Sequence, residues 1–191
     1  AEFIRSKLYL YGLVPLSGDG LQRFKINDKV FPGENNALSV NGKNYSPGDD
    51  FTPAAFSGND SLKAEVVFAG YGFNISNDSV QWEDYKGIDV KNRWVMILRA
   101  EPDPDNLNSK FALFSGDRNK AMLAKDFGAA GVLLVTGKSF DNSDNFDPLV
   151  KGDYSVGIPV LRIKRTVADQ ILFKKNRTIN DLEKMLISDG R

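Results

Sequence analysis

Three apolar runs in the second half of the chain set the limits on its fold. Trp94-Val95-Met96-Ile97-Leu98 has no polar break, and neither does Ala129-Ala130-Gly131-Val132-Leu133-Leu134-Val135. Ile158-Pro159-Val160-Leu161-Arg162-Ile163 is broken only at Arg162. A strand with one wet face alternates polar and apolar residues, so a continuous run of this length predicts a strand buried on both faces. Pro159 has no N–H to give a ladder, which puts its strand at an edge or puts Pro159 at the strand's start.

The segments around these runs have other periods. Residues 115–128 predict a helix, with Ser115 as its cap, Ala121, Met122, Ala124, Lys125 and Phe127 continuing it, and Gly128 ending it. Thr166 caps a second helix through about Lys174, with Asp169 at the third position, and Thr178 begins a third through Ile187. Phe3, Ile4, Lys7, Leu8 and Tyr11 give residues 1–11 a helical stripe that stops at Gly12. Leu21 to Phe31 reads as a strand or hairpin, and Ala37 to Tyr45 as a hairpin turning on Asn41-Gly42, where a type I′ turn needs positive φ. Residues 46–61 are turn-rich, Leu62 to Phe68 forms a strand, a polar loop leads to Trp82, and 137–155 is an acidic loop. The expected core is Val66, Phe68, Val95, Ile97, Leu98, Val132, Leu134, Val160 and Leu161, with Trp94 and Phe127 beside it.

Composition narrows the chemistry. At 191 residues the chain is one domain or one plus extensions, long enough to fold without a disulfide or metal. Lys and Arg number 25 and Asp and Glu 25, which argues against nucleic-acid binding through bulk charge. There is no Cys and no His, so a thiolate nucleophile, a Ser-His-Asp triad and a His- or Cys-based zinc site are all excluded within this chain. No apolar run approaches the roughly 20 residues of a membrane span.

Four patterns have a chemical reading beside a plainer one. Asp141, Asp144, Asp147 and Asp153 suggest calcium ligands, but their spacing lacks the alternation of a calcium loop, and a solvated surface loop accounts for them. Glu83-Asp84 beside Trp82 and Tyr85 suggests an acid pair next to an aromatic platform; the plainer reading makes Trp82 and Tyr85 anchors of the loop. Gly70-Tyr71-Gly72-Phe73 lacks the Lys and Ser/Thr of a phosphate loop and reads as a glycine bend after a strand. Lys174-Lys175-Asn176-Arg177, with Arg162, Lys164 and Arg165 nearby, reads as a solvated helix terminus rather than an anion site.

Five segments, in order, resemble one family. Glu65 to Phe73 (EVVFAGYGF) resembles the "VVFVGYGI" strand of protease-associated (PA) domains, and Trp82 to Lys91 resembles their "DDYxGxDVKGK" segment. Trp94 to Arg99 with Pro102 is similar to their "VVLVLRxxP" strand. Lys120-Ala121 through Val135 is similar to their "KxxxAxxxGAxGVLLV" helix–strand unit, and Ile158 to Leu161 to their "IPVL" strand. The kind inserted in M28-type zinc aminopeptidases resembles it most, because Ala1 to Ile26 is also similar to the peptidase segment that leads into that insert. Asn92 stands where the family often has Gly; Asn tolerates the left-handed backbone that such a turn needs.

The resemblance implies an α+β, β-rich fold: a PA-like open β-barrel or sandwich with short flanking helices. It divides the chain into an N-terminal flank (1–25), a PA-like domain (26–165) and a C-terminal helical flank (166–191). It implies a non-catalytic domain of a secreted, periplasmic or cell-surface aminopeptidase, with zinc expected only in the parent's catalytic domain and no cofactor in this chain. The expected partners are that peptidase domain and peptide or protein substrates, not nucleic acid. The expected contact surface includes Tyr71, Trp82 and Tyr85. Residue types alone leave open a free-standing peptide- or glycan-binding module, and, less favoured without His, an enzyme working through carboxylates.

Overall fold

The structure is a computed structural model that describes residues 1–16, 18–24, 31–149 and 154–189. The expected strand from Leu21 to Phe31 falls largely outside the described residues, as does Asp153.

The centre is a five-stranded sheet. Its strands are β3 (Phe51–Pro53), β4 (Val66–Phe68), β7 (Trp94–Leu98), β8 (Gly131–Val135) and β9 (Val160–Ile163), in the spatial order β3-β9-β8-β7-β4. The pairs β4–β7, β7–β8 and β8–β9 are parallel, and β3 runs antiparallel on β9. Every residue of β8 and β9 is buried, as are four of the five in β7. The three apolar runs thus became the three inner strands, and parallel strands covered on both faces have that composition. Among the described residues the sheet is open, with β3 and β4 at its edges and no closed barrel. The coarse α+β expectation stands: strands and helices are mixed, and the helices lie against the faces of the sheet. Pro159 lies just before β9, which is an inner strand, so Pro159 marks a start and not an edge.

The two faces carry separate cores. On one, Met96, Leu98, Leu133, Val135, Leu161 and Ile163 meet α3 (Arg165–Leu172) and α4 (Ile179–Asp189) through Val167, Ala168, Leu172 and Ile179. Residues 166–189, expected as a flank, thereby contribute to this core. On the other face, Val95, Ile97, Val132, Leu134 and Val160 meet α2 (Asp117–Asp126) through Ala121 and Ala124. Small residues on α2 bring its backbone close to the sheet. Of the expected core, Val66, Phe68 and Trp94 are half-buried and Phe127 is 40% exposed, stacked on Tyr85 at 4.3 Å.

Two small hairpins flank the sheet. β1 (Leu38–Val40) and β2 (Lys43–Tyr45) turn on Asn41 and Gly42 at φ 52° and 81°, as the Asn-Gly pair requires. β5 (Asn74–Ser76) and β6 (Gln81–Glu83) replace the expected polar loop. Their only large apolar side chains, Ile75 and Trp82, face each other across the ladder and point inward. Helix starts also differ from expectation. Ser115 bonds back to the Ala112 carbonyl, and Gly116 precedes α2. Lys164, not Thr166, precedes α3. Thr178 does cap α4, exchanging hydrogen bonds with Asp181. Helix α1 (Glu2–Leu10) forms where expected, but none of its residues is buried.

Trp82 packs edge-on against Phe73 at 6.1 Å and Phe111 at 5.2 Å, inside the first core. Trp82→Ala should lower unfolding free energy by about 3–5 kcal/mol, read as a lower urea midpoint. A change below about 1 kcal/mol would show that the hairpin does not hold this core.

Candidate functional site

The carboxyl ends of parallel strands are where open α/β sheets build their clefts. Here side-chain alternation and register act together. Arg99 follows β7 in phase with Val95 and Ile97, and Thr136 follows β8 in phase with Val132 and Leu134. Arg162 in β9 pairs in register with Leu134. All three therefore lie at one end of one face, with α2's first turn above them. Arg99 Nε donates to Asp117 Oδ2 at 2.7 Å, and its two other nitrogens donate to Thr136 Oγ1 at 3.3 Å and Asp147 Oδ2 at 3.4 Å. Arg162 Nη2 donates to the same Asp147 oxygen at 2.5 Å. The hydrogen bond from Arg162, helped by the charges of both guanidinium groups, holds the Asp147 carboxyl below the usual carboxylate range against its partial burial.

Beside Arg99 lies an open groove of about 650 Å³. Phe56 and Phe140 are among its walls, Arg118 and Glu101 line it, and α2's first turn forms one bank. The Phe140 ring stacks near the Arg99 guanidinium, 5.8 Å from its centre.

Lys120 holds the bend that shapes this groove. It is a fully buried lysine, and its Nζ donates to the Leu98 carbonyl at 2.9 Å and also to the Ala100 carbonyl. Ala100 itself sits at φ 56°, a left-handed conformation that is strained for a residue with a Cβ. The ammonium lies 4.6 Å over the Phe73 ring and 5.4 Å over that of Tyr71. Burial pushes its pKa down to about 7 against the opposing charges of Asp117, Asp84 and Glu101; Arg99 adds to the lowering.

The acidic loop anchors this end of the molecule. Glu183 of α4, itself buried, accepts the Lys138 N–H at 2.8 Å and the Ser139 N–H at 3.3 Å. A Cβ at Gly137 would overlap that carboxylate, so the close approach needs glycine. Asp144 accepts the Arg165 N–H at 2.9 Å, capping α3 from outside the helix, and Arg165 in turn donates to the Asp141 and Asn142 carbonyls at 2.8 Å each. No group of three or more potential metal ligands occurs among the described residues.

Tyr71, Trp82 and Tyr85, expected on a contact surface, are 1%, 4% and 6% exposed. Their rings are anchors, the plainer of the two readings for Trp82 and Tyr85. Glu83 and Asp84 diverge. Glu83 is exposed and pairs with Lys86 at 2.8 Å, while Asp84 turns inward and accepts the Phe73 N–H at 2.9 Å. Burial raises the Asp84 pKa, opposed by hydrogen bonds to it. Gly70 and Gly72 form the expected bend, at φ 50° and 69°, and a Cβ on Gly72 would sit 2.8 Å from Ile97. Lys174, Lys175 and Arg177 are exposed as expected, but Arg162 and Arg165 are not solvated: their side chains are 10% and 12% exposed. The signal for them was present in the sequence as a charge inside an apolar strand and another two residues after its end.

No family model matches the sequence, and no curated protein does. Among solved structures the chain is similar to the aminopeptidase from Aneurinibacillus sp. strain AM-1, with 15% identity and a TM-score of 0.53 over 76% of this chain and 28% of that one. BSAP, a zinc aminopeptidase from Bacillus subtilis, matches at 22% identity with a TM-score of 0.46, over 91% of this chain and 34% of that one. The first likeness establishes a shared fold with part of an aminopeptidase chain. This chain spans about a third or less of either neighbour.

Buried Lys120 and the buried phenols predict a pH signature. Between pH 7 and about 10 the unfolded chain keeps a lysine proton that the folded chain has released, so stability rises with pH. Burial holds the Tyr71 and Tyr85 phenols above their usual 10, so at higher pH the unfolded chain loses protons first and stability falls. The urea midpoint should therefore peak near pH 10, roughly, and Lys120→Met should abolish the rising limb. An unchanged rising limb in that variant would contradict the assignment.

Proposed function

We propose that this chain is a non-catalytic domain of the protease-associated type within a zinc aminopeptidase, where it modulates substrate access or contacts other proteins. The observation that carries the reading is the fold shared with a minor part of an aminopeptidase chain. The ordered PA-like segments support it, because they fall on the sheet and its crossovers: EVVFAGYGF on β4 and its bend, WVMILR on β7, the Lys120–Val135 unit on α2 and β8, and IPVL on β9. A sequence with no His and no Cys cannot supply the nitrogen or sulfur ligands that zinc takes in nearly all protein sites, so zinc and catalysis fall to the rest of the parent. In this reading the PA-like unit is 26–165, with 1–25 and 166–191 as flanks.

Helix α1 supplies the contact. Phe3, Ile4, Leu8, Leu10 and Tyr11 are between 45% and 74% exposed, a run of apolar side chains on a helix with no buried residue. Large exposed apolar patches mark interaction sites. The occupant in this reading is the peptidase domain of the same polypeptide, since residues 1–26 resemble its lead-in segment. The partner surface thus moves from Tyr71, Trp82 and Tyr85 to α1. Among the described residues no helix is long and apolar enough to cross a membrane. In this reading the parent is secreted, periplasmic or displayed at the cell surface.

The test is an aminoacyl-anilide assay on the native full-length polypeptide. Hydrolysis that a chelator abolishes and zinc restores is expected there, with none from the 191-residue chain alone. Ile4→Asp should leave the melting of the isolated chain unchanged and lower that of the full-length protein by a few degrees, roughly as loss of about 1 kcal/mol would. A native polypeptide no larger than this chain, or one without peptidase activity, overturns the reading.

A further inference from the structure

Two nearly buried arginines at the sheet's carboxyl end are covered by a carboxylate that lies mostly in water. The Arg99 and Arg162 side chains are 14% and 10% exposed, whereas Asp147, which bridges them, is 67% exposed. Arg162 is under-used: its Nε is buried and finds no hydrogen-bond partner among the described residues. A buried donor left unpaired is costly, and a guanidinium offers two parallel N–H groups to a carboxylate that approaches edge-on. Asp147 engages only Nη2 of Arg162.

The loop has firm anchors before this point. Glu183 holds residues 138 and 139, and Asp144 holds the start of α3. Asp147 comes three residues later; among the described residues, the side-chain attachments there are its own contacts to Arg99 and Arg162 and the Phe146 ring under Lys164 at 4.4 Å. The aromatic-walled groove of about 650 Å³ runs up to Arg99 from the outside.

We propose that Arg99 and Arg162 form a carboxylate site for an acidic peptide and that Asp147 is its displaceable internal occupant. The incoming side chain or terminal carboxylate takes both oxygens to Arg162 Nε and Nη2 and to Arg99, with neighbouring peptide residues along Phe56 and Phe140. Asp117, fixed on Arg99 at 2.7 Å, sets the charge of the guest: with Asp147 gone the site has one net positive charge, which suits a monoanion and disfavours a phosphate dianion. This inference does not depend on the aminopeptidase reading.

The test uses the whole chain, native and Asp147→Asn, and a blocked peptide carrying one Asp between two Phe residues. Titration calorimetry should give at least roughly tenfold tighter binding to D147N than to the native chain, as expected when an internal competitor is removed. The same peptide with Asn in place of Asp should bind neither. Adding Arg162→Lys to D147N should abolish most of the gain, because an ammonium cannot present the paired donors. Equal binding of the Asp and Asn peptides to D147N overturns the proposal, as does no gain over the native chain. Inorganic phosphate binding as tightly as the peptide overturns the choice of guest. A D147N chain that fails to fold, by circular dichroism, also overturns it, because a displaceable occupant must be dispensable to the sheet.

Discussion

Everything at the carboxyl end of the sheet depends on the burial of β7 on both faces. Val95, Met96, Ile97 and Leu98 are wholly buried, two side chains into each core. At about 1.5–3 kcal/mol for each large apolar side chain fully removed from water, this strand and its neighbours fix the register of the sheet. A one-residue slip would exchange the two cores and carry Arg99 to the wrong face. The alternation that buries Val95 and Ile97 under α2 is the same alternation that sets Arg99 beside Thr136 and Arg162.

Beyond the end of β7 a charged seam is set against an apolar platform. Lys120 reaches through the core to pin the Leu98 and Ala100 carbonyls, and in doing so holds a left-handed alanine in place. The bend directs Arg99 and Glu101 into the groove. The acidic loop then closes the strand ends, lending Asp144 as an external cap to α3 and Asp147 as a counter-charge to two arginines. Stability and recognition share these groups: the cations that neutralise the loop are the ones a ligand would seek.

The strong features of the fold were legible in the sequence because each is a local signal. Continuous apolar runs announced β7, β8 and β9, and Asn41-Gly42 announced its hairpin. The short elements were not legible. β3 is three residues ending in Pro53, and β5 and β6 have one apolar residue apiece, so their existence is decided by β9 and by the aromatic cluster rather than by pattern. The site was hidden for the same reason. Asp117, Asp147, Arg99 and Arg162 are separated by up to 63 positions in the numbering and meet only through register and crossover. Tyr71, Trp82 and Tyr85 read as a surface because aromatic residues in a polar stretch serve either as anchors or as contacts, and only packing distinguishes the two.

The central claim is a rigid parallel sheet that presents fixed arginines beneath a loop able to leave them. Native-state hydrogen exchange tests it most directly. The amides of β7, β8 and β9 should exchange only through global unfolding, while those of Asn145, Phe146, Asp147 and Leu149 exchange without it, with far lower free energy. If both sets exchange with the same free energy, the loop is part of the sheet's cooperative unit and the account is wrong.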